Sequence, residues 1–150
     1  MAVNPDLIGR TYPPSGPYPV DAALVAAFAA AVGADDPLHT DAEAARAAGY
    51  ADVVAPPTMA VRFAQATEAA YVQDPQAGID FSRVVHGEET FVHHRPITAG
   101  DEVVGTVTVD GIRTAGGHAM VSTRTELATS AGEALSTVTS MLVVRGGDDR

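Results

Sequence analysis

Apolar residues recur at helical spacing in the first half of the chain and alternate with polar ones in the second. Leu24, Phe28 and Ala31 share one face of a segment that runs to Val32, with Asp21 placed to cap its start and Gly33 to end it. Asp41 to Ala48 reads as a short alanine-rich helix, capped by Thr40 or Asp41 and stopped by Gly49. Tyr50 to Ala55 reads as irregular or extended. Pro56-Pro57 interrupts the pattern, and Pro57 suits the first position of a new helix. Met59, Phe63, Ala66, Ala70 and Tyr71 give that helix an apolar stripe as far as Val72, and Asp74 to Gly78 is a loop. Beyond it the period changes. Ser82 to Val85, Glu89 to His94, Glu102 to Ile112, Ala119 to Ala128 and Ala134 to Val144 read as five strands. Thr114-Ala115-Gly116-Gly117 and Ser130-Ala131-Gly132 are hairpin turns.

Pro5, Pro13, Pro14, Pro17 and Pro19 make residues 1–19 an extended arm rather than a helix, and residues 146–150 form a polar tail. The order is therefore arm, helix, short helix, long helix, then a meander of about five strands. That is an α+β chain, with helices segregated from an antiparallel sheet. The long helix needs somewhere to bury its stripe, and the concave face of a strongly curled sheet is the economical place. A sheet wrapped around one helix is a hot-dog fold. Residues 1–150 then form one domain with an exposed edge strand that a second copy can pair with, so a dimer is expected.

Composition narrows the function classes. The chain has 150 residues, is 46% hydrophobic and 19% charged, and contains no cysteine. A disulfide framework, a thiolate zinc site and a cysteine nucleophile are thus excluded. Nineteen acidic against nine basic residues give a formal net charge of -10, which argues against binding nucleic acid or an anionic membrane. Met1 to Arg10 lack the pattern of a signal peptide, and Val20 to Val32 is shorter than the roughly 20 apolar residues of a membrane span, so a cytoplasmic protein is expected.

The segment Gly33 to His39 concentrates candidate chemistry. An imidazole just after a helix, beside Asp35 and Asp36, suits general acid–base work near neutral pH; the two acids equally suit a helix-terminating turn. His93 and His94 are neighbours on a strand, point to opposite faces and read as structural. No histidine has metal-ligand spacing, no glycine-rich phosphate loop precedes a helix and no serine lies in a nucleophile elbow. No metal and no cofactor are expected. Arg62 and Arg95 are candidates for phosphate contacts or for surface salt bridges.

Separated motifs carry a family resemblance. Phe28 to Gly49, FAAAVGADDPLHTDAEAARAAG, resembles the hydratase motif of MaoC-like (R)-specific enoyl-thioester hydratases and dehydratases. Ala51 to Met59, ADVVAPPTM, resembles the start of the hot-dog helix in that superfamily. Val85 to Asp101, VHGEETFVHHRPITAGD, is similar to a run in the N-terminal MaoC-like dehydratases, of which Gly9 to Pro14, GRTYPP, is also typical. The resemblance extends to the small actinobacterial subunits that partner the catalytic chain of heterodimeric (3R)-hydroxyacyl-carrier dehydratases. It implies a catalytic Asp and His in the pattern G-D-x-N-P-aliphatic-H, and a backbone N–H at the helix start that holds the thioester oxygen.

Carried over position by position, Gly33, Pro37, Leu38 and His39 match the pattern, while Asp36 stands where Asn is usual and Ala34 stands on the catalytic Asp. Asp35 is the nearest carboxylate. Pro57 stands where a glycine supplies the oxyanion N–H, and proline has none; losing one such donor costs about 3 kcal/mol of transition-state stabilisation. The expected site is thus His39 with Asp35 as catalytic pair, and Asp36, Pro57, Thr58 and Met59 against substrate, Thr58 being the replacement N–H donor. The implied reaction is reversible loss of water from a 3-hydroxyacyl thioester of coenzyme A or acyl-carrier protein. The alternative is a non-catalytic acyl-binding subunit, and the chain would form a homodimer or a heterodimer with a second MaoC-like subunit. A hot-dog thioesterase fits less well, given Pro37 to His39 and Val85 to Asp101.

Overall fold

A computed structural model describes residues 2–147, and Asp148, Asp149 and Arg150 of the expected polar tail lie outside the described residues. Five antiparallel strands, β1 (Ser15–Pro19), β2 (Val84–His93), β3 (Glu102–Ala115), β4 (His118–Thr129) and β5 (Ala134–Val144), form one sheet in the order β1-β3-β4-β5-β2. Its helices are α1 (Ala22–Val32), α2 (Ala42–Ala47) and α3 (Ala60–Val72), the last led in by a 3-10 turn over Pro57–Met59. The chain has the α+β, helix-in-curled-sheet architecture that the hydrophobic pattern predicts. Among the described residues no helix is long and apolar enough to cross a membrane.

Three strand expectations need correction. The segments read as Ser82–Val85 and Glu89–His94 are one strand, and Ser82 itself lies in a 3-10 turn over Phe81–Arg83. They look separate because the register slips between His86 and Glu88, so that Gly87 is an extra residue. Such a bulge reverses the alternation. Before it Val84 and His86 oppose Val144 and Leu142; after it Glu89, Phe91 and His93 oppose Ser140, Val138 and Ser136, all on the concave face. The fifth strand comes from the proline-rich arm, where Ser15–Pro19 pairs with the β3 edge. An edge tolerates proline because one side of its backbone needs no ladder partner. Only β3, β4 and β5 form a meander, since β2 lies beside β5 rather than β3.

The stripe on α3 is also rotated from the expected one. Ala60, Phe63, Ala64, Thr67, Glu68 and Tyr71 are buried, whereas Ala66 and Ala70 are exposed. Alanines weigh little in setting a helix face, and the bulky Phe63 and Tyr71 decide it. Phe63 joins a core cluster with Met59, Val25, Val103, Leu127 and Val138. Tyr71 joins a second with Leu7, Tyr12, Val107, Val121 and Leu142. Between them α3 approaches β3 at Gly105, where any Cβ would overlap the Thr67 hydroxyl. That hydroxyl donates to Phe63 O (2.8 Å) and accepts from Ser15 Oγ (3.1 Å), tying helix, sheet and arm together.

The concave face also buries a polar row. Thr123 Oγ1 donates to Glu68 Oε1 and Ser140 Oγ to Glu89 Oε1, with Thr123 and Ser140 directly paired across β4 and β5. Burial pushes the Glu68 carboxyl above its ordinary range, Glu89 pushes the same way, and the Thr123 bond and His86 oppose the shift.

Gly105→Ala is expected to lower stability by about 1–3 kcal/mol, because the new methyl has no space without displacing Thr67; thermal unfolding checks this. A carboxyl with a raised folded pKa favours folding below its unfolded pKa and loses that contribution as pH rises through the folded value. Glu68→Gln should therefore raise Tm relative to wild type at alkaline pH and leave it nearly unchanged below about pH 4, as melts across a pH series would show.

Candidate active-site cleft

The candidate cleft is assembled by three non-contiguous segments. Gly33, in the left-handed conformation (φ 71°), ends α1, and Ala34 N–H donates back to Ala29 O at 2.8 Å. The chain turns, and Asp36 caps a 3-10 turn over Pro37–His39 through its Oδ1, which accepts from Leu38 N–H at 2.9 Å. This turn docks on the second segment, where Val54 N–H donates to Leu38 O (2.9 Å). The third follows β2. Ala55 N–H donates to Ile97 O (2.8 Å) and Ala99 N–H to Val53 O (3.0 Å).

Arg95 holds this third segment in place. Its guanidinium forks onto both Asp101 oxygens (2.9 and 2.8 Å), and its Nε donates to Glu133 (2.9 Å). Asp101 in turn accepts from Thr98 N–H (2.9 Å). Burial works against the Asp101 charge, but the Arg95 and Thr98 bonds outweigh it and hold the carboxyl below its ordinary range. Of the two uses expected for Arg95, the structure shows the salt bridge.

The cleft between these segments has a volume of about 260 Å³ and is lined by His39, Tyr50, Val54, Pro57, His93 and Ile97, among others. His39 Nδ1 is 2.6 Å from Val54 O. A carbonyl only accepts, so Nδ1 carries the proton and donates it. The neutral ring then keeps its lone pair on Nε2, the arrangement of a general base. His93, at the end of β2, is the second imidazole of the cleft. Its ring stacks on Phe91 (centroids 5.9 Å apart, planes 8° apart), and its Nδ1 is 3.1 Å from Ser136 Oγ.

Of the residues expected at the site, the structure brings together His39 and Pro57. Asp35 is exposed, does not line the cleft and makes no hydrogen bond to His39 among the described residues. Asp36 spends its carboxylate on the Leu38 cap. Thr58 is exposed outside the lining, and Met59 is fully buried in the core. His93, read as a structural strand residue, is the addition. Alternation places it opposite His94, but its facing the cleft follows from the bulge at Gly87.

A five-stranded sheet of this order wrapped around one helix, with the cleft beside the helix start, is a hot-dog fold. The sequence profile described as "FAS1-like, dehydratase domain region" matches residues 6–138, and the chain belongs to this MaoC-like family. It is 49% identical to a UPF0336 protein of Clavibacter michiganensis over 99% of both chains. Among solved structures it resembles a "MaoC-like dehydratase" (TM-score 0.86, 33% identity, 95% of this chain and 43% of that one). It also resembles the Mycobacterium tuberculosis HadBC (3R-hydroxyacyl-ACP dehydratase) complex (TM-score 0.81, 27% identity, 92% of this chain and 97% of that one). The chain thus spans less than half the length of the first of these structures.

The His39 geometry gives a direct spectroscopic expectation. Nitrogen-15 NMR of the imidazoles should show the neutral form of His39 as the Nδ1–H tautomer, and a dominant Nε2–H form would contradict the Val54 bond.

Proposed function

We propose that the chain is one subunit of a (3R)-3-hydroxyacyl-thioester dehydratase, binding acyl substrate beside a second MaoC-like subunit that supplies the full acid–base pair. The observation behind this reading is the make-up of the cleft: an imidazole with a bare Nε2, no carboxylate in the lining, and Pro57 in its wall. Dehydration removes a proton from C2 and expels the C3 hydroxyl as water, while negative charge develops on the thioester oxygen. It needs a base, an acid and an oxyanion donor. Here the carboxylates lie outside the cleft, and Pro57 has no N–H to offer. The likeness to the two-subunit HadBC dehydratase supports the pairing, and the edge of β2, unpaired among the described residues and with Val85 and Val92 exposed on that strand, suits a partner chain. On this reading the protein works in acyl-chain metabolism in the cytoplasm, on thioesters of coenzyme A or acyl-carrier protein.

A second reading is favoured by the His39 tautomer. A single imidazole can take the C2 proton on Nε2 and return it to the departing C3 hydroxyl. The chain would then be a complete hydratase.

Hydration of crotonyl-coenzyme A and a longer trans-2-enoyl thioester separates the two. The purified chain alone is expected to show no turnover. Co-expression with a MaoC-like protein carrying an intact D-x-N-P-x-H is expected to yield an active complex in which His39→Ala costs less than about tenfold. Turnover by the chain alone that disappears in His39→Ala would overturn the partner reading in favour of the second.

A further inference from the structure

One corner of the sheet gathers positive charge in a chain whose net charge is -10. Val84, Ile112, Ala119 and Val144 pack on the second core cluster and so point to the concave side. Their strand neighbours Val85, Arg113, His118 and Val143 therefore face the convex side. The ladder continues past Val144, where Arg145 N–H donates to Arg83 O (3.0 Å). Gly146 N–H donates to His118 Nδ1 (3.1 Å), and the Arg83 guanidinium lies beside Gly147. Arg113, His118, Arg145 and Arg83 thus stand at the ends of four neighbouring strands, β3, β4, β5 and β2, across roughly 14 Å at the usual strand spacing.

Little of this charge is neutralised within the chain. Arg113 and Arg145 are exposed and form no ion pair among the described residues, and Arg83 has only Asp80, at 3.8 Å. Apolar surface lies between the cations. Val85 is 47% exposed, and Met141 and Val143 reach over Gly87, where a Cβ would meet them. Glu88, on the same face of β2, bounds the patch. Small-molecule sites are concave, whereas arginine beside aliphatic side chains on an open strand surface is the make-up of a protein interface. Cations spread over four strands match several carboxylates rather than one phosphate. The acidic remainder of the chain repels an acidic protein and so steers it to this corner. The corner also stands at the Val84 end of β2. A related chain docked on the β2 edge about a two-fold axis runs its own β2 antiparallel to this one, which brings its cleft end beside the corner.

We propose that this corner is a docking surface for an acyl-carrier protein, whose acidic side chains pair with Arg83, Arg113 and Arg145 while an apolar side chain covers Val85 and Val143. A carrier docked here presents its thioester to the cleft of the neighbouring subunit. The proposal rests on the subunit reading above and adds the carrier to it, a protein rather than coenzyme A.

Two measurements test it. The surface lies wholly on this chain, so the nitrogen-15-labelled chain alone suffices for the first. Titration with a bacterial holo-acyl-carrier protein should shift the amides of Arg113, His118, Val143 and Arg145, and the double variant Arg113→Glu, Arg145→Glu should abolish those shifts. In the co-expressed complex, the same variant should raise KM for the crotonyl-acyl-carrier protein about tenfold at unchanged kcat, and leave crotonyl-coenzyme A kinetics within about twofold of wild type. Arg113→Lys with Arg145→Lys keeps the charge and should keep the carrier KM, which should itself rise with ionic strength. An equal KM rise for both thioesters would make the corner a phosphate site. Binding to phosphatidylglycerol vesicles that the Glu variant loses, without amide shifts from the carrier, would make it a lipid surface. Either result overturns the proposal, as do shifts that survive the charge reversal. The titration reads no turnover. Charge-dependent shifts beside an inactive complex sink the dehydratase reading and leave the docking surface standing, whereas an active complex without shifts does the reverse.

Discussion

Thr67 of α3 occupies the space where a side chain at Gly105 would stand, and the helix can lie against β3 only because that side chain is missing. The same hydroxyl bonds its own helix at Phe63 and the arm at Ser15. With α3 seated there, Phe63 reaches one core cluster and Tyr71 the other, on either side of the contact. The depth of this contact also sets the separation between α3 and the strands it does not touch closely.

The bulge at Gly87 governs what β2 presents to the interior. In an unbroken strand, Val84 and His86 would share their face with Glu88 and Thr90. The extra residue instead turns Glu89, Phe91 and His93 inward. One strand thereby presents Val84 and His86 toward α3 at one end and an imidazole to the His39 cleft at the other.

In the cleft, the groups best suited to acid–base work differ in how they are held. His39 is oriented by a backbone carbonyl, which fixes its tautomer without charging it. The two neighbouring aspartates are governed by turn geometry, Asp36 as a cap and Asp35 in solvent. One residue of offset in a tight turn redirects a side chain, and Asp35 lies exposed, outside the cleft lining. The Arg95–Asp101–Glu133 cluster then keeps the segment carrying Pro96 and Ile97 against the other two.

Local chemistry in the sequence suffices for much of this. Asp21, Gly33, Asp41 and Pro57 mark helix ends by hydrogen-bonding capacity and backbone freedom alone, and the alternation across β3, β4 and β5 follows from the pleat. The order of these elements already implies a helix inside a curled sheet, and the motif around His39 points to the cleft. Tertiary structure decided the rest. Only sheet pairing could recruit Ser15–Pro19 as an edge strand and join two apparent strands through Gly87. Only packing could choose Thr67 and Glu68 over Ala66 and Ala70 as the buried face of α3. The direction of Asp35, the place of His93 and the burial of Glu68 depend on contacts between residues far apart in the chain, and no local periodicity encodes those.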